Sequence, residues 1–211
     1  MRSVLIKNAA MEVRFRPILR EWVKVITRYS ESHPYDALYW YNERASVSTF
    51  AAAVARRGGH VLEEFRTEKN MGREGFTGRA DLWFESPADA HKSSQFLVEA
   101  KQCWLTLPAP ASKLKQRAQR AMSAARASAA QLPSWDGRRL GMVFMVPAIA
   151  ASRHARLPWL MEEFEAGLQE LADSAQVDAL AYARPKGDGP TNERNYRYPG
   201  VACLLKYLRS P

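Results

Sequence analysis

Residues 78–104, GRADLWFESPADAHKSSQFLVEAKQCW, constrain the fold more than any other stretch, because two apolar runs, 80–84 and 96–103, each carry acids that a core-filling sequence avoids. Read as a strand, the second run puts Leu97, Glu99 and Lys101 on one face and Phe96, Val98 and Ala100 on the other, beneath helices. In the first run Arg79, Asp81 and Trp83 share a face opposite Ala80, Leu82 and Phe84. The linker 85–94 contains Ser, Pro, Asp, His and Lys, a turn composition. The two runs are therefore expected to form an antiparallel hairpin that sets Asp81 beside Glu99.

Two carboxylates converging with a lysine suit a hard divalent cation such as magnesium, which keeps much of its water and takes one or two carboxylates plus substrate phosphate oxygens. A metal so held polarises a phosphodiester and acidifies a bound water, while the lysine orients that water or neutralises developing charge. Read instead as a solvated pair on an edge strand, Glu99 and Lys101 would have little energetic consequence.

Asp81, a hairpin-length gap, and then Glu99-Ala100-Lys101 resemble the signature of the PD-(D/E)XK nuclease superfamily, the restriction-endonuclease-like fold. By order of elements the resemblance spans about 36–147; its specific part is Asp81, Glu99 and Lys101, and Ala80 stands where the family has a proline. The resemblance implies an α/β fold with an αβββαβ core, its mixed central sheet flanked by helices, plus an N-terminal helix and a C-terminal helix and strands. It implies that Asp81 and Glu99 hold Mg2+ or Mn2+ with the Ala100 carbonyl, and that Lys101 is the catalytic lysine. The family also places a metal-completing glutamate on the helix before the core strands, where Glu43 stands, and a polar residue just after the lysine, where Gln102 stands. The implied activity is metal-dependent hydrolysis of DNA. A catalytically inactive module that keeps the fold and binds nucleic acid or a protein partner is the alternative.

A formal net charge of +9 over 211 residues favours a polyanionic partner, because neutralised phosphates release counterions. Nucleic acid, DNA first, is the expected partner. A helix expected over about 112–131 carries Lys113, Lys115, Arg117, Arg120 and Arg126 and no acid. A merely solvated helix mixes signs, so phosphate contact is expected here. Length and a 46% hydrophobic content fit one domain over residues 1–211. Cys103 and Cys203 lie in apolar, strand-like contexts without metal or redox spacing and read as reduced core residues. The first residues do not form a secretory signal and no stretch approaches a membrane span, so no membrane partner is expected and the cytoplasm is the expected location. The oligomeric state stays open, a homodimer included.

An N-terminal helix is expected over 17–29, with Pro17 in its first turn. A second runs from residue 35 or 36 to Gly58-Gly59, with Tyr39, Glu43, Val47, Phe50 and Val54 in one stripe. Glu43 is then a carboxylate on an apolar face that needs a cation, a metal or an arginine such as Arg44 or Arg79, unless it sits where the stripe meets solvent. A strand over 60–68 is followed by a glycine-rich loop, 69–78, whose Lys69 and Arg73 can reach a nucleic-acid backbone or simply face water. A strand buried on both faces over 141–147, a helix over 158–174 with Leu160, Phe164, Leu168 and Leu171 inward, and strands 177–183 and 201–208 complete the order. Alternation puts Gln102 opposite Lys101, leaving it a supporting role. Between the last two strands, Arg194 and Arg197 interleave with Tyr196 and Tyr198, which can stack bases or form an ordinary surface hairpin loop.

Overall fold

The computed structural model describes residues 3–71, 74–87, 94–133 and 137–208. In chain order its elements are β1 (Val4–Ile6), α1 (Ala9–Ser32), α2 (Glu43–Arg56), β2 (His60–Met71), β3 (Glu74–Ser86), β4 (Ser94–Leu107), α3 (Ala111–Ala129) and β5 (Arg138–Ala150). A 3-10 turn (Ala151–Arg156) then leads to α4 (Leu157–Asp173), β6 (Ala179–Ala183), β7 (Tyr196–Arg197) and β8 (Val201–Tyr207). The result is a mixed α/β structure whose 8-stranded open sheet runs β1-β6-β8-β5-β4-β3-β2, with β7 beside β5. β4 and β5 pair in parallel, and the other pairings are antiparallel. The parallel pair requires a crossover, which α3 supplies.

The continuous apolar run in β5 is explained by its two neighbours and two covered faces: residues 140–149 are all buried. Leu140, Met142, Phe144 and Val146 enter the layer under α1 and α2, together with Phe84, Phe96, Val98 and Ala100. Val143, Met145 and Ile149 enter the opposite layer under α3 and α4, with Leu114, Ala118, Met122, Leu160, Phe164 and Leu168. The inward stripe expected for α4 is therefore the buried one, α3 buries Leu114, Ala118, Met122, Ala125 and Ala129, and the sheet lies between two helical layers. Among the described residues, no helix is long and apolar enough to cross a membrane.

α1 begins eight residues before the expected start, so Pro17 lies inside it. The carbonyl that this proline leaves without a helical donor is that of Val13, an exposed residue, so water can satisfy it. The buried face of α1 is Met11, Phe15, Ile18, Leu19, Trp22 and Ile26. The Trp22 indole N–H donates to Thr49 Oγ1 of α2 at 2.8 Å inside the core. Thr49→Val keeps the shape but leaves that N–H unpaired, so we expect a loss of about 1–3 kcal/mol, read as a lower urea midpoint at unchanged m-value.

α2 starts at Glu43 rather than near residue 35. Asp36 ties up the preceding turn by accepting from Tyr29 Oη at 2.5 Å and from the Ala37 N–H at 2.7 Å. Asn42 then caps the helix, its Oδ1 accepting from the Ala45 N–H at 2.9 Å. Tyr39 thus belongs to the approach to the helix, although it is fully buried. The 69–78 segment is not a loop, because β2 and β3 continue through most of it with Thr67 opposite Gly78 and Lys69 opposite Phe76. Cross-strand pairing prevails over the glycine content, and Gly78 has a packing reason: a Cβ there would stand 2.9 Å from Lys69 Cδ. Arg73 and most of the expected 85–94 linker lie outside the described residues.

Candidate active site

β3 and β4 pair only between Leu82↔Val98 and Ser86↔Ser94. Beyond Leu82, β3 stays with β2 while β4 continues beside β5, so one edge of β4 opens. An open strand edge presents backbone N–H groups that need acceptors. Two carboxylates replace the missing strand. Asp81 Oδ2 accepts from the Ala100 N–H at 2.7 Å, and Glu43 Oε2, from the first turn of α2, accepts from the Gln102 N–H at 2.9 Å.

Side-chain alternation breaks at the same level. Glu64 of β2 is left-handed at φ +51°. Glu63 bonds Ser48, and Glu64 pairs with Arg44 at 3.0 Å, so both reach α2. Phe65 and its cross-strand partner Ala80 pack instead with Leu97, Ala129 and Leu132 in the α3 layer. Ala80 therefore does not share the face of Leu82 and Phe84, as unbroken alternation predicts. The break also decides where Lys69 goes: alternating from Phe65, it meets Glu99, with Nζ 2.6 Å from Oε1. Both members are largely withdrawn from water, with side-chain exposures of 12% and 5%.

Glu99 is held above the ordinary carboxyl range, first by burial and then by the adjacent Asp81 charge. The Lys69 hydrogen bond and the charges of Lys69 and Lys101 oppose that rise. Asp81 binds the N–H of Ala100, the residue next to Glu99, and its charge adds to the rise of the Glu99 carboxyl, although the β3–β4 pairing itself ends at Leu82↔Val98. Lys101 Nζ donates to its neighbour's Ala100 carbonyl at 2.6 Å and to Glu43 Oε1 at 3.4 Å, and the side chain remains half-exposed. The side chain paired with Glu43 is thus Lys101, not an arginine. Arg44 and Arg79, the arginines considered for it, both turn to Glu64, at 3.0 and 3.7 Å. Gln102 faces away from Glu99, as alternation requires. Its Nε2 donates to the Tyr39 carbonyl at 3.0 Å and its Oε1 accepts from Ser46 Oγ at 2.8 Å, clamping β4 to α2.

The basic residues of α3 divide. Lys115 pairs with Glu170 of α4 at 2.7 Å, whereas Lys113, Arg117, Arg120 and Arg126 are exposed. The stem of Arg126 passes over Gly141, the residue in register with Glu99 on the neighbouring strand. A Cβ on Gly141 would stand 2.8 Å from Arg126 Cγ, so the glycine permits this approach. Tyr198 is buried, with its carbonyl accepting from Tyr39 Oη at 2.9 Å, so it is not free to stack a base.

Among the described residues, no group of three or more His, Cys, Asp and Glu side chains is arranged to hold a metal. The candidate oxygen donors at the opened edge are Asp81, Glu99 and the Ala100 carbonyl, and ammonium groups occupy two of them: Lys69 on Glu99 and Lys101 on the carbonyl. Lys69 and Ser46 are site residues that alternation counted along uninterrupted strands does not find. The one sequence signal for Lys69 is Gly78, whose missing side chain leaves room for the lysine stem. Compared with protein-family models, curated proteins and solved structures, the chain finds no match.

Proposed function

We propose that this protein is a metal-dependent nuclease that hydrolyses DNA phosphodiester bonds, built on a restriction-endonuclease-like αβββαβ core formed by α2, β2, β3, β4, α3 and β5. The observation that carries the reading is the opened β4 edge, where Asp81 binds the Ala100 N–H between Glu99 and Lys101, and Lys101 binds the Ala100 carbonyl. The donor set fits a hard cation: two carboxylates from neighbouring strands and one carbonyl, already drawing cationic groups, with one carboxyl strained by burial. Asp81, Glu99 and the carbonyl would hold Mg2+ or Mn2+, with Glu43 close through its bonds to Lys101 and Gln102. When bound, the metal supplies charge that polarises the phosphodiester and acidifies a water.

The chain's own groups do the rest. Lys101 is aimed by Glu43 and the Ala100 carbonyl, and its exposed ammonium can hold a water or meet a phosphate oxygen. Gln102 fixes the strand that carries it by bonding to α2. Lys113, Arg117, Arg120 and Arg126 add affinity for the nucleic-acid backbone without reading sequence.

One observation favours a second reading. Lys69 neutralises Glu99 at 2.6 Å, as an internal counterion would in a nucleic-acid-binding module without catalysis. Plasmid, linear duplex and single-stranded DNA incubated with Mg2+, with Mn2+ and with chelator separate the two. The nuclease reading expects cleavage that chelator and Asp81→Asn both abolish. Binding without cleavage under every metal condition establishes the inactive module, and cleavage indifferent to chelator rejects the metal site.

A further inference from the structure

The same open edge carries an aromatic cluster that the proposed hydrolysis does not use. Trp104 lies three residues beyond Lys101 on β4, and its ring is 5.2 Å from that of Tyr198. Tyr198 meets Trp40 at 6.0 Å, and Trp40 meets Tyr41 at 5.6 Å, all edge to face. The inner rings, Tyr198 and Trp40, support the outer ones from behind. Trp104 remains 38% exposed and Tyr41 58% exposed, which is costly apolar surface for rings already held by neighbours. Positive charge is near: Arg194 is exposed in a turn that Asn192 fastens to the Tyr198 hydroxyl at 2.6 Å, and Lys101 binds Glu43, two residues beyond Tyr41.

We propose that Trp104 and Tyr41 form a stacking platform for unpaired nucleobases, so that the substrate strand is single-stranded where it leaves the site. The inference rests on the reading of Lys101 as facing a phosphodiester. Lys101 and Trp104 are separated by about 10 Å at strand rise, and alternation sets Trp104 on the Gln102 face. The Lys101 ammonium nevertheless turns to Glu43, two residues beyond Tyr41, so a strand whose phosphate meets it at the open edge can bring a neighbouring base to the rings. In a duplex each base face is covered by the next base pair, and a ring reaches it only by unstacking that pair, at a cost of a few kcal/mol. Only unpaired bases offer a free π-face, and stacking of this kind accepts any base. The occupant is therefore single-stranded nucleic acid or the single-stranded flank of a branched or frayed duplex, recognised by ring faces and phosphate charge.

Equilibrium binding of a fluorescein-labelled single-stranded oligonucleotide and of the matching duplex, measured by anisotropy in chelator, tests this. Wild type is expected to prefer the single strand. Trp104→Ala and Tyr41→Ala should each weaken the single strand by about fivefold to a hundredfold and leave duplex affinity nearly unchanged. Trp104→Phe, which keeps a ring and guards against a folding defect, should retain most of the affinity. An abasic strand should bind wild type and Trp104→Ala alike. Equal losses on both substrates, no loss, or undiminished binding of the abasic strand would each overturn the platform. So would a change in sedimentation of Trp104→Ala with unaltered DNA binding, which would assign the rings to contact between copies of the chain. Because no cleavage is measured, absent hydrolysis in the metal assay would refute the nuclease reading and leave this result standing.

Discussion

Replacing Lys101 with alanine is expected to slow metal-dependent DNA cleavage by about a hundredfold to ten-thousandfold, the range set by loss of a positioned charge or proton-transfer group. The fold should survive. Lys101 is half-exposed and its pairing with Glu43 at 3.4 Å is long, so its removal costs about 1 kcal/mol or less. Glu43 keeps its bond from the Gln102 N–H, and the Ala100 carbonyl lies at an opened edge that water can reach. Single-turnover cleavage with enzyme in excess is the measurement, since it isolates the chemical step from product release. Mg2+ affinity by calorimetry should stay within a few-fold of wild type, because the carboxylates are untouched. A Lys101→Ala protein that cleaves at an undiminished rate would remove lysine from the mechanism. One that loses metal affinity in step with activity would show that the residue organises the acids rather than the water.

Strand alternation alone places Glu99 and Lys101 correctly, because β4 is a regular strand locked to β5 in parallel register from Phe96 to Leu107. The same rule misplaces Ala80, and the difference is physical: β3 leaves β4 just where Asp81 bends to the Ala100 N–H, and β2 turns left-handed at Glu64 beside it. Neither event has a signature in hydrophobic period, which counts residues and not twist. The start of α2 is hidden for a related reason. Tyr39 extends the helical stripe by chance of spacing, while Asn42, a good cap, marks the true boundary. Glu43 could be recognised as a carboxylate needing a cation, but not as the partner of Lys101. That pairing depends on the first turn of α2 abutting an open strand edge, a tertiary fact. Lys69 was least legible. It reaches Glu99 only because the parity of β2 has already been inverted five residues earlier.

That inversion makes Lys69→Met a strongly destabilising change, because it breaks an ion pair already largely withdrawn from water. Methionine keeps the stem beside Gly78 but leaves Glu99, 4% exposed, without its nearest cation. Removing one member of a buried ion pair costs about 3 kcal/mol or more, because the remaining charge stays desolvated. The pH dependence follows from the raised Glu99 carboxyl. Such a group binds its proton at higher pH in the folded chain than in the unfolded one. Its contribution to stability is complete below the unfolded value, about 4.3, and is lost as pH rises through the folded value. In wild type, Lys69 limits that loss by drawing the carboxyl down; methionine withdraws both the hydrogen bond and the charge, so the loss deepens. Urea unfolding in chelator should therefore show a wider gap between wild type and Lys69→Met at pH 8 than at pH 5. The double variant Lys69→Met, Glu99→Gln should recover most of the difference. A gap that ignores pH would mean that Lys69 acts through packing alone. Magnesium provides the closing comparison, because a metal at these acids competes with the Lys69 ammonium in wild type and meets no such competitor in Lys69→Met. The ion should accordingly raise the melting temperature of the variant more than that of the wild type, whereas a site unable to hold metal would leave both unchanged.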